Sequence, residues 1–516
     1  MNNFSKKKIS KKRAEPLLSE TAKRNVMAGL GVLLVFIFVV YLGVQAFRYV
    51  SNFTFLHFFS DVFGKEVVTD SKHHTNILLL GVGGEGHDGA DLTDTMMVAS
   101  IDQQNHTVGM LSIPRDMFVR TPVHNGKINA LYATGKAKWD SLQSLDYMRE
   151  QLGDMLGIEI HYYVKVDFEA FKELVDAVGG IDINVEMAIN DQEYPKDGTY
   201  EFEPFILAAG MQHLDGEIAL KYARSRHTSS DFDRSRRQQE VIVALRNKAQ
   251  QASLLSKASF IKDTYYSLNE HVETNLTTRE MISLAEFAAG WDSSKLSNAT
   301  LTDDPNAKGG FLYTPDRSLF NGGAVLVMAG TSDSMALEQY AEAVLYPPEG
   351  FLTAHILVLN GTKQNGLAGR VSNILFRYGL PINKTANARL QNLKETTWYT
   401  VKPGSESIMN FVTKLLPAPV EKTLPPEYMT DPNVLETTIV LELGEDAASY
   451  MKKLDVFREL PYPVAPVAPT PSTATPTTTT PPTSSTPGFS RTSYSLFFLN
   501  LLNRLIPSLF NSYPNS

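Results

Sequence analysis

The chain has 516 residues, 43% hydrophobic and 20% charged, with a formal net charge of −8 and no cysteine. This composition excludes wholesale disorder and fibrous repeats, and the length suits roughly two to four domains. The absence of thiols excludes a disulfide framework, a thiolate metal site and a cysteine nucleophile, and the acidic balance argues against a nucleic-acid partner.

Residues 1–25 form a basic tail in which Lys6, Lys7, Lys8, Lys11, Lys12, Arg13, Lys23 and Arg24 stand against Glu15 and Glu20. Val26–Phe47 follows, 22 residues without a charge. At ~1.5 Å per residue this run crosses a ~30 Å hydrocarbon core as one transmembrane helix. A cleaved signal peptide is the competing reading, but the run exceeds the usual ~7–15-residue apolar segment and no small-x-small cleavage site follows it. The basic flank predicts a cytoplasmic amino terminus, a single pass through the cell membrane and an extracytoplasmic remainder.

From residue 72 to 345 the pattern is that of an α/β domain. Asn76–Val82, Thr95–Ile101 and Val108–Ile113 are short aliphatic runs bounded by Gly, Asp or Pro, as buried strands are. Leu142–Leu156 and Phe168–Val178 carry apolar residues at helical spacing, and Tyr162–Val166 and Ile181–Val185 read as further strands. Such alternation predicts a mixed or mostly parallel sheet covered by helices. Residues 352–445 repeat the logic on a smaller scale: strand HILVLNG from His355, helix Leu367–Tyr378, strand Trp398–Val401, helix Glu406–Leu416, strand Ile439–Leu443. Residues 461–488 form a Pro/Thr/Ser-rich linker that cannot pack a core. The tail 489–516 is apolar but interrupted by Asn500, Asn503, Arg504 and Pro507, which suits a membrane-surface helix or a partner-binding segment rather than a second span.

Three clusters offer chemistry. The loop after the first strand, Gly81 to Thr95, is rich in glycine, and Glu85, Asp88, Asp91 and Asp94 supply hard oxygen ligands for Mg²⁺ (or Mn²⁺). It lacks a Walker ending, and a plain strand connection has the same composition. Ser112-Ile113-Pro114-Arg115-Asp116 ends a buried strand, placing Arg115 either at the ligand-binding edge of a sheet or in a simple pair with Asp116; Lys127 is a further basic candidate. The densest cluster holds Arg224, Arg226, His227, Asp231, Asp233, Arg234, Arg236, Arg237 and Gln238. Arg224 and Arg226 share a side if locally extended, while Arg234, Arg237 and Gln238 share a face at the start of an amphipathic helix. A solvated basic face, an internal ion-pair network and nucleic-acid binding compete with a phosphate site. An extracytoplasmic position without interleaved aromatics favours a phosphorylated or pyrophosphorylated ligand beside the membrane.

The ordered blocks NILLLGV, LTDTMMVASID, LSIPRDM, GKINALYATG, YYVKVDFEAFKELVDAVGGIDINV, HLDGEIALKYARSRH and DFDRSRRQQ, behind one amino-terminal span, resemble the LytR-CpsA-Psr family. LVLNGT, GLA and NAR in the second block look like its LytR carboxyl-terminal domain. The resemblance implies a three-layer α/β/α sandwich with a mixed central sheet and an apolar tunnel, plus a second small α/β domain. It also implies a membrane-anchored phosphotransferase of cell-wall biogenesis. Such an enzyme moves a glycopolymer, a teichoic acid or capsule, from a polyprenyl-pyrophosphate carrier to the C6 hydroxyl of muramic acid in peptidoglycan. On the same basis Asp94 takes the place of a Mg²⁺-binding aspartate. Arg115, Lys127, Arg224, Arg226, Arg234 and Gln238 take the places of pyrophosphate-contacting residues, with Arg237 beside them.

In two places the chain departs from the pattern. Many relatives have an aspartate shortly after the first strand where Gly83 stands, and Leu92 occupies a position that is often basic. Magnesium is then held by Asp94, phosphate oxygens and water, or with Asp91, Asp88 and Glu85 as further ligands. Asp116, Asp231 and Asp233 are equal candidates for the base. A polyprenyl-pyrophosphate hydrolase and a non-catalytic wall-binding scaffold are the alternative functions.

Overall fold

The computed structural model describes residues 67–196, 201–225, 231–330 and 335–464. The expected span Val26–Phe47, the basic tail, most of the Pro/Thr/Ser linker, the apolar tail, and Arg226 and His227 lie outside the described residues. Among the described residues no helix is long and apolar enough to cross a membrane.

Six strands form the first sheet: β1 (His74–Gly81), β2 (Thr95–Asp102), β3 (Thr107–Ser112), β4 (Tyr162–Val166), β5 (Val272–Thr274) and β6 (Leu296–Thr300). Their spatial order is β5-β4-β1-β2-β3-β6. β1 runs parallel to β4 and antiparallel to β2, and β3 runs antiparallel to β2 and parallel to β6, so the sheet is mixed. This register brings the carboxyl ends of β1, β3, β4 and β6 to one edge, together with the start of β2.

Both faces are covered, which is why the strands read as continuous apolar runs. Leu78, Leu80, Met96, Val98 and Leu111 pack on α1 (Leu131–Lys136), α2 (Ser141–Leu156) and a later helix through Leu131, Tyr132, Leu145, Met148 and Leu152. The opposite side chains Met97, Ala99, Val108 and Met110 meet Trp291, Ile242 of α5 (Asp231–Gln251) and Phe287 of α7 (Thr278–Gly290). Between these elements run α3 (Phe168–Ala177), capped by Asp167, which accepts from the Ala170 amide, α4 (Gly216–Arg224), capped by Asp215, and α6 (Ala258–Ser267).

The second sheet contains β7 (Ile356–Asn360), β8 (Ile382–Asn387), β9 (Thr397–Thr400), β10 (Val420–Glu421) and β11 (Ile439–Leu443), in the order β8-β7-β11-β9-β10. β7 and β11 are buried throughout. Helices α9 (Leu367–Arg377), α10 (Glu406–Leu415) and α11 (Ala447–Leu454) belong to this block.

The two sheets share one hydrophobic cluster, joined by α8 (Ala336–Leu345). Seven of its ten residues are buried, so it is apolar nearly all round, as a helix clasped on several sides must be. Gly109 on β3 allows the approach: a Cβ there would lie 2.5 Å from the Leu345 Cα and the Val344 carbonyl oxygen.

Candidate active site

The site is built at the carboxyl edge of the first sheet, where ligands settle in open α/β sheets. Thr93 is fully buried, and both its amide and its hydroxyl donate to the Asn129 carbonyl, at 3.0 and 3.1 Å. That fixes the next residue, Asp94. Its Oδ1 accepts from Arg115 Nη1 at 3.0 Å and from Asn129 Nδ2 at 3.3 Å, while the side chain stays 41% exposed. Arg115 Nε lies 3.7 Å from Asp116 Oδ2, and Lys127 Nζ donates to Asp116 Oδ1 at 2.6 Å. The structure therefore joins Asp94, Arg115, Asp116 and Lys127 in one alternating chain of charge. Arg115 lies at the carboxyl edge of the sheet and pairs there with Asp94 and Asp116.

The Gly-rich loop folds against the start of α3. Gly84 has φ +85° and a Cβ there would sit 2.8 Å from the Asp167 Cβ, so both conformation and space require glycine. At Gly83 a Cβ would lie 2.9 Å from the Cβ of His87, whose ring packs edge-on to Phe168 at 4.9 Å between centroids. The side of Gly83 where an aspartate would project is thus occupied by His87. Glu85 and Asp88 are exposed, and Asp91 is engaged by Lys136 Nζ at 2.7 Å. Among the described residues no three of His, Asp and Glu converge into a ready-made metal site. Of the four acids expected to hold Mg²⁺, Asp94 is the one that is partly exposed beside an arginine, a donor set that fits an ion taking one or two carboxylates plus phosphate oxygens.

Arg224 comes to this edge from another direction. It is the last residue of helix α4 rather than part of an extended segment, because Asp215 caps a nine-residue helix whose buried face is Ala219, Leu220, Tyr222 and Ala223. Its guanidinium lies 4.0 Å from the Phe168 ring centroid and 5.4 Å from that of Tyr194, so it is held between two aromatic faces.

Helix α5 bears the remaining candidates. Arg234 and Arg237 share a face, as their spacing predicts, and that face is turned inward: each is only 5% exposed. Arg237 corrects the sequence reading. Its Nε donates to the Tyr222 carbonyl at 2.9 Å and its Nη2 to that of Ser225, so the expected pyrophosphate ligand is a strut that ties α4 to α5. Gln238 Nε2 reaches the Ala223 carbonyl at 3.4 Å. Arg236 pairs with Glu186 and Glu240. The side chain of Asp231 lies outside the described residues.

The structure adds residues that the sequence reading did not single out. Gln239, 2% exposed, donates to Ser112 Oγ at 3.0 Å and to the Ala299 carbonyl at 2.9 Å, anchoring α5 to the strand end that carries Arg115. Asp167 Oδ2 pairs with His271 Nδ1 at 2.7 Å beside Gly84, and this contact raises the His271 pKa above its ordinary value. The sequence signal that could have pointed to Asp167 is its place as an aspartate just before the helix that begins at Phe168.

Under the site, packing on the α5–α7 face is loose. Leu79, midway along a central strand, is only partly buried, as are Ile101, Val164, Ile242, Leu284 and Phe287 around it, and α6 has no buried residue. This face of the sheet is thus an incompletely covered apolar layer.

Comparison with known proteins follows this geometry. The model of the LytR_cpsA_psr family matches residues 59–321. A second model, described as LytR cell envelope-related transcriptional attenuator, matches residues 353–446. The polyisoprenyl-teichoic acid–peptidoglycan teichoic acid transferase TagV of Bacillus subtilis is 33% identical over 246 residues, covering 46% of this chain and 59% of TagV. The matched stretch thus spans about three fifths of that relative's length. The transferase of the same description TagU, from Bacillus mycoides, is 34% identical over 227 residues, 43% of this chain and 67% of TagU. The crystal structure of B. subtilis TagV aligns with a TM-score of 0.40 at 27% identity, covering 53% of this chain and 97% of that one. TagT bound to LIIa-WTA aligns at 0.39 and 23%, covering 55% and 97%.

Proposed function

The chain belongs to the LytR-CpsA-Psr family, and from that premise we propose that it is a membrane-anchored, extracytoplasmic phosphotransferase. It moves a glycopolymer from a polyprenyl-pyrophosphate carrier to the muramic acid C6 hydroxyl of peptidoglycan. The transferases TagV and TagU are named for the corresponding polyisoprenyl-teichoic acid and peptidoglycan chemistry, which supports this substrate class. The observation that carries the reading is the Asp94–Arg115 pair at the carboxyl edge of the first sheet, with Arg224 held on Phe168 just beyond the end of β4 and a partly covered apolar layer on the sheet face.

The chemistry follows from charge. The acceptor hydroxyl oxygen attacks the phosphorus that bears the glycopolymer; a new P–O bond forms and the anhydride bond to the polyprenyl phosphate breaks. The hydroxyl proton passes to a base, and polyprenyl phosphate leaves as an anion. Attack is resisted by the negative charge of the pyrophosphate, so cations fixed around it lower the barrier. Arg115 offers a planar fork for two phosphate oxygens, and Arg224 is oriented by Phe168 and Tyr194. Lys127 and the Arg226 and Arg234 positions add positive charge, and Gln238 lies near the α4 end. Mg²⁺ bound at Asp94 would supply further charge neutralisation on the phosphate oxygens. The partly covered apolar layer around Leu79 would take the polyprenyl tail.

The test uses the full chain in detergent, a lipid-linked glycopolymer and peptidoglycan with Mg²⁺. Acceptor-dependent attachment is expected. Release of polyprenyl phosphate without acceptor makes the protein a hydrolase, and saturable binding without any turnover makes it the scaffold that the glycine at position 83 would suit.

A further inference from the structure

The second α/β block holds a cavity that the transfer reaction does not use. It has a volume of about 250 Å³ and lies at the carboxyl ends of β7, β8 and β11. β7 runs parallel to both β8 and β11, and the chain leaves β7 through α9 toward β8 while β11 lies on the other flank. The helices that follow β7 and β11, α9 and α11, pack on the same face of the sheet and touch one another. The cavity lies where their first turns meet the loop after β8, outside the carboxyl ends of the strands, where ligands bind in open α/β sheets.

Three loops line this cavity and are stitched together by main-chain hydrogen bonds. Gly361 donates to Leu443, Leu393 to Gly361, and Glu445 to Leu393, at 3.0, 2.9 and 2.9 Å. Gly361 has no space for a side chain, since a Cβ would lie 2.5 Å from Leu393 Cδ1 and 2.7 Å from the Leu443 carbonyl. The cavity is thus pre-formed, as small-molecule sites generally are. The LVLNGT and GLA motifs provide Thr362 and Leu367 in its wall, and the loop that follows NAR provides Asn392.

The lining states the ligand chemistry. The Gln364 and Asn392 carboxamides and the Lys363 ammonium make no side-chain hydrogen bond among the described residues, whereas Glu445 is already paired with Lys394 at 2.6 Å. Two carboxamides can each donate and accept, one charge of each sign is present, and Leu367 and Ala448 give an apolar floor. This contrasts with the arginine-rich first site. A phosphate group would meet one ammonium, Lys363, the first turns of α9 and α11, and no guanidinium, while the hydroxyls and acetamido group of an N-acetylated hexose match carboxamides on the rim and a C–H face on the floor.

We propose that the carboxyl-terminal block is a saccharide-binding module that takes an N-acetylhexosamine unit in this cavity. The inference rests on the transferase reading and deepens it, because a peptidoglycan strand presents N-acetylated hexoses and a second grip on the acceptor would hold it beside the first site.

The experiment measures binding of N-acetylglucosamine oligosaccharides to the full chain in detergent by calorimetry. Gln364→Ala and Asn392→Gly are compared with the parent; glycine suits the positive φ of 75° at position 392, so the fold is preserved. Saturable binding that weakens roughly tenfold in the double variant is expected, by loss of two carboxamide contacts. It should persist in Arg224→Ala, which separates this site from transfer; binding by a parent chain that carries out no transfer would sink only the transferase reading. Metal-free peptidoglycan glycan and free glycopolymer, used as competitors, tell which polymer supplies the sugar. No binding by the parent chain, binding unchanged in the double variant, or displacement by inorganic phosphate would overturn the proposal.

Discussion

Asp94 and Arg115, 21 positions apart in the chain, share a hydrogen bond of 3.0 Å across the mouth of the first sheet. The acid expected to hold the metal and the base expected to hold phosphate are thus each other's partner before substrate arrives. Arg115→Ala should leave the fold intact and cut polymer attachment by ~10³-fold, the scale of a lost arginine in phosphoryl transfer. Arg115→Lys should recover little, because a point charge cannot replace a planar fork. Attachment assays on folded variants, checked by circular dichroism, decide this; near-normal transfer by Arg115→Ala would remove Arg115 from the site.

Asp94→Asn separates two roles of that carboxylate. Asparagine can still accept from Arg115 and Asn129 through its carbonyl, so thermal stability should change little. The Mg²⁺ dependence of transfer should be lost. Titration of activity with Mg²⁺ and Mn²⁺ provides the measurement, and a retained metal response would place the ion elsewhere.

Arg237→Ala should act on the fold. It strips the Tyr222 and Ser225 carbonyls of a buried donor, and each buried group left unsatisfied costs roughly 1–3 kcal/mol. Urea denaturation should show this loss. A variant with unchanged stability but failed transfer would instead return Arg237 to the pyrophosphate.

The Asp167–His271 pair makes a pH prediction. Because Asp167 raises the His271 pKa, the folded protein holds that proton more tightly than the unfolded chain does. The stabilisation is complete below the unfolded value of about 6.5 and is lost as pH rises through the higher folded value. Asp167→Asn keeps a good helix cap yet should return His271 toward its ordinary range, as read by NMR titration of its ring. An unmoved titration would refute the pairing.

Much of this organisation was legible in the sequence because burial on both sheet faces writes strands such as ILLLG and MMVAS as unbroken apolar runs. Capping aspartates did the same for helices, at Asp140 and Asp167. The condition that would put Arg224 and Arg226 on one side, a locally extended chain, is not met at Arg224, where Asp215 and the spacing of Ala219, Leu220, Tyr222 and Ala223 carry a helix signal. Arg237 illustrates a different limit. Spacing correctly put it on a face with Arg234 but could not say that the face looks inward, since that depends on carbonyls of Tyr222 and Ser225 brought in by tertiary packing. The Asp167–His271 contact spans 104 positions and leaves no local trace.

Gly109→Ala should disturb both sheets at once. The added methyl would meet the backbone of α8 at 2.5 Å, and overpacking of this kind costs about 1–3 kcal/mol. Since α8 belongs to the core of each sheet, denaturation should remain a single transition shifted to lower urea; two separated transitions would contradict the shared core.

Helix α8 falls between the two family matches, after residue 321 and before residue 353. It belongs to neither pattern yet is buried against both sheets. A chimera assembled by cutting at the family boundaries would therefore divide its parts from their common keystone. A functional exchange of the carboxyl-terminal block must carry α8 and its seat at Gly109 together, as one mechanical piece.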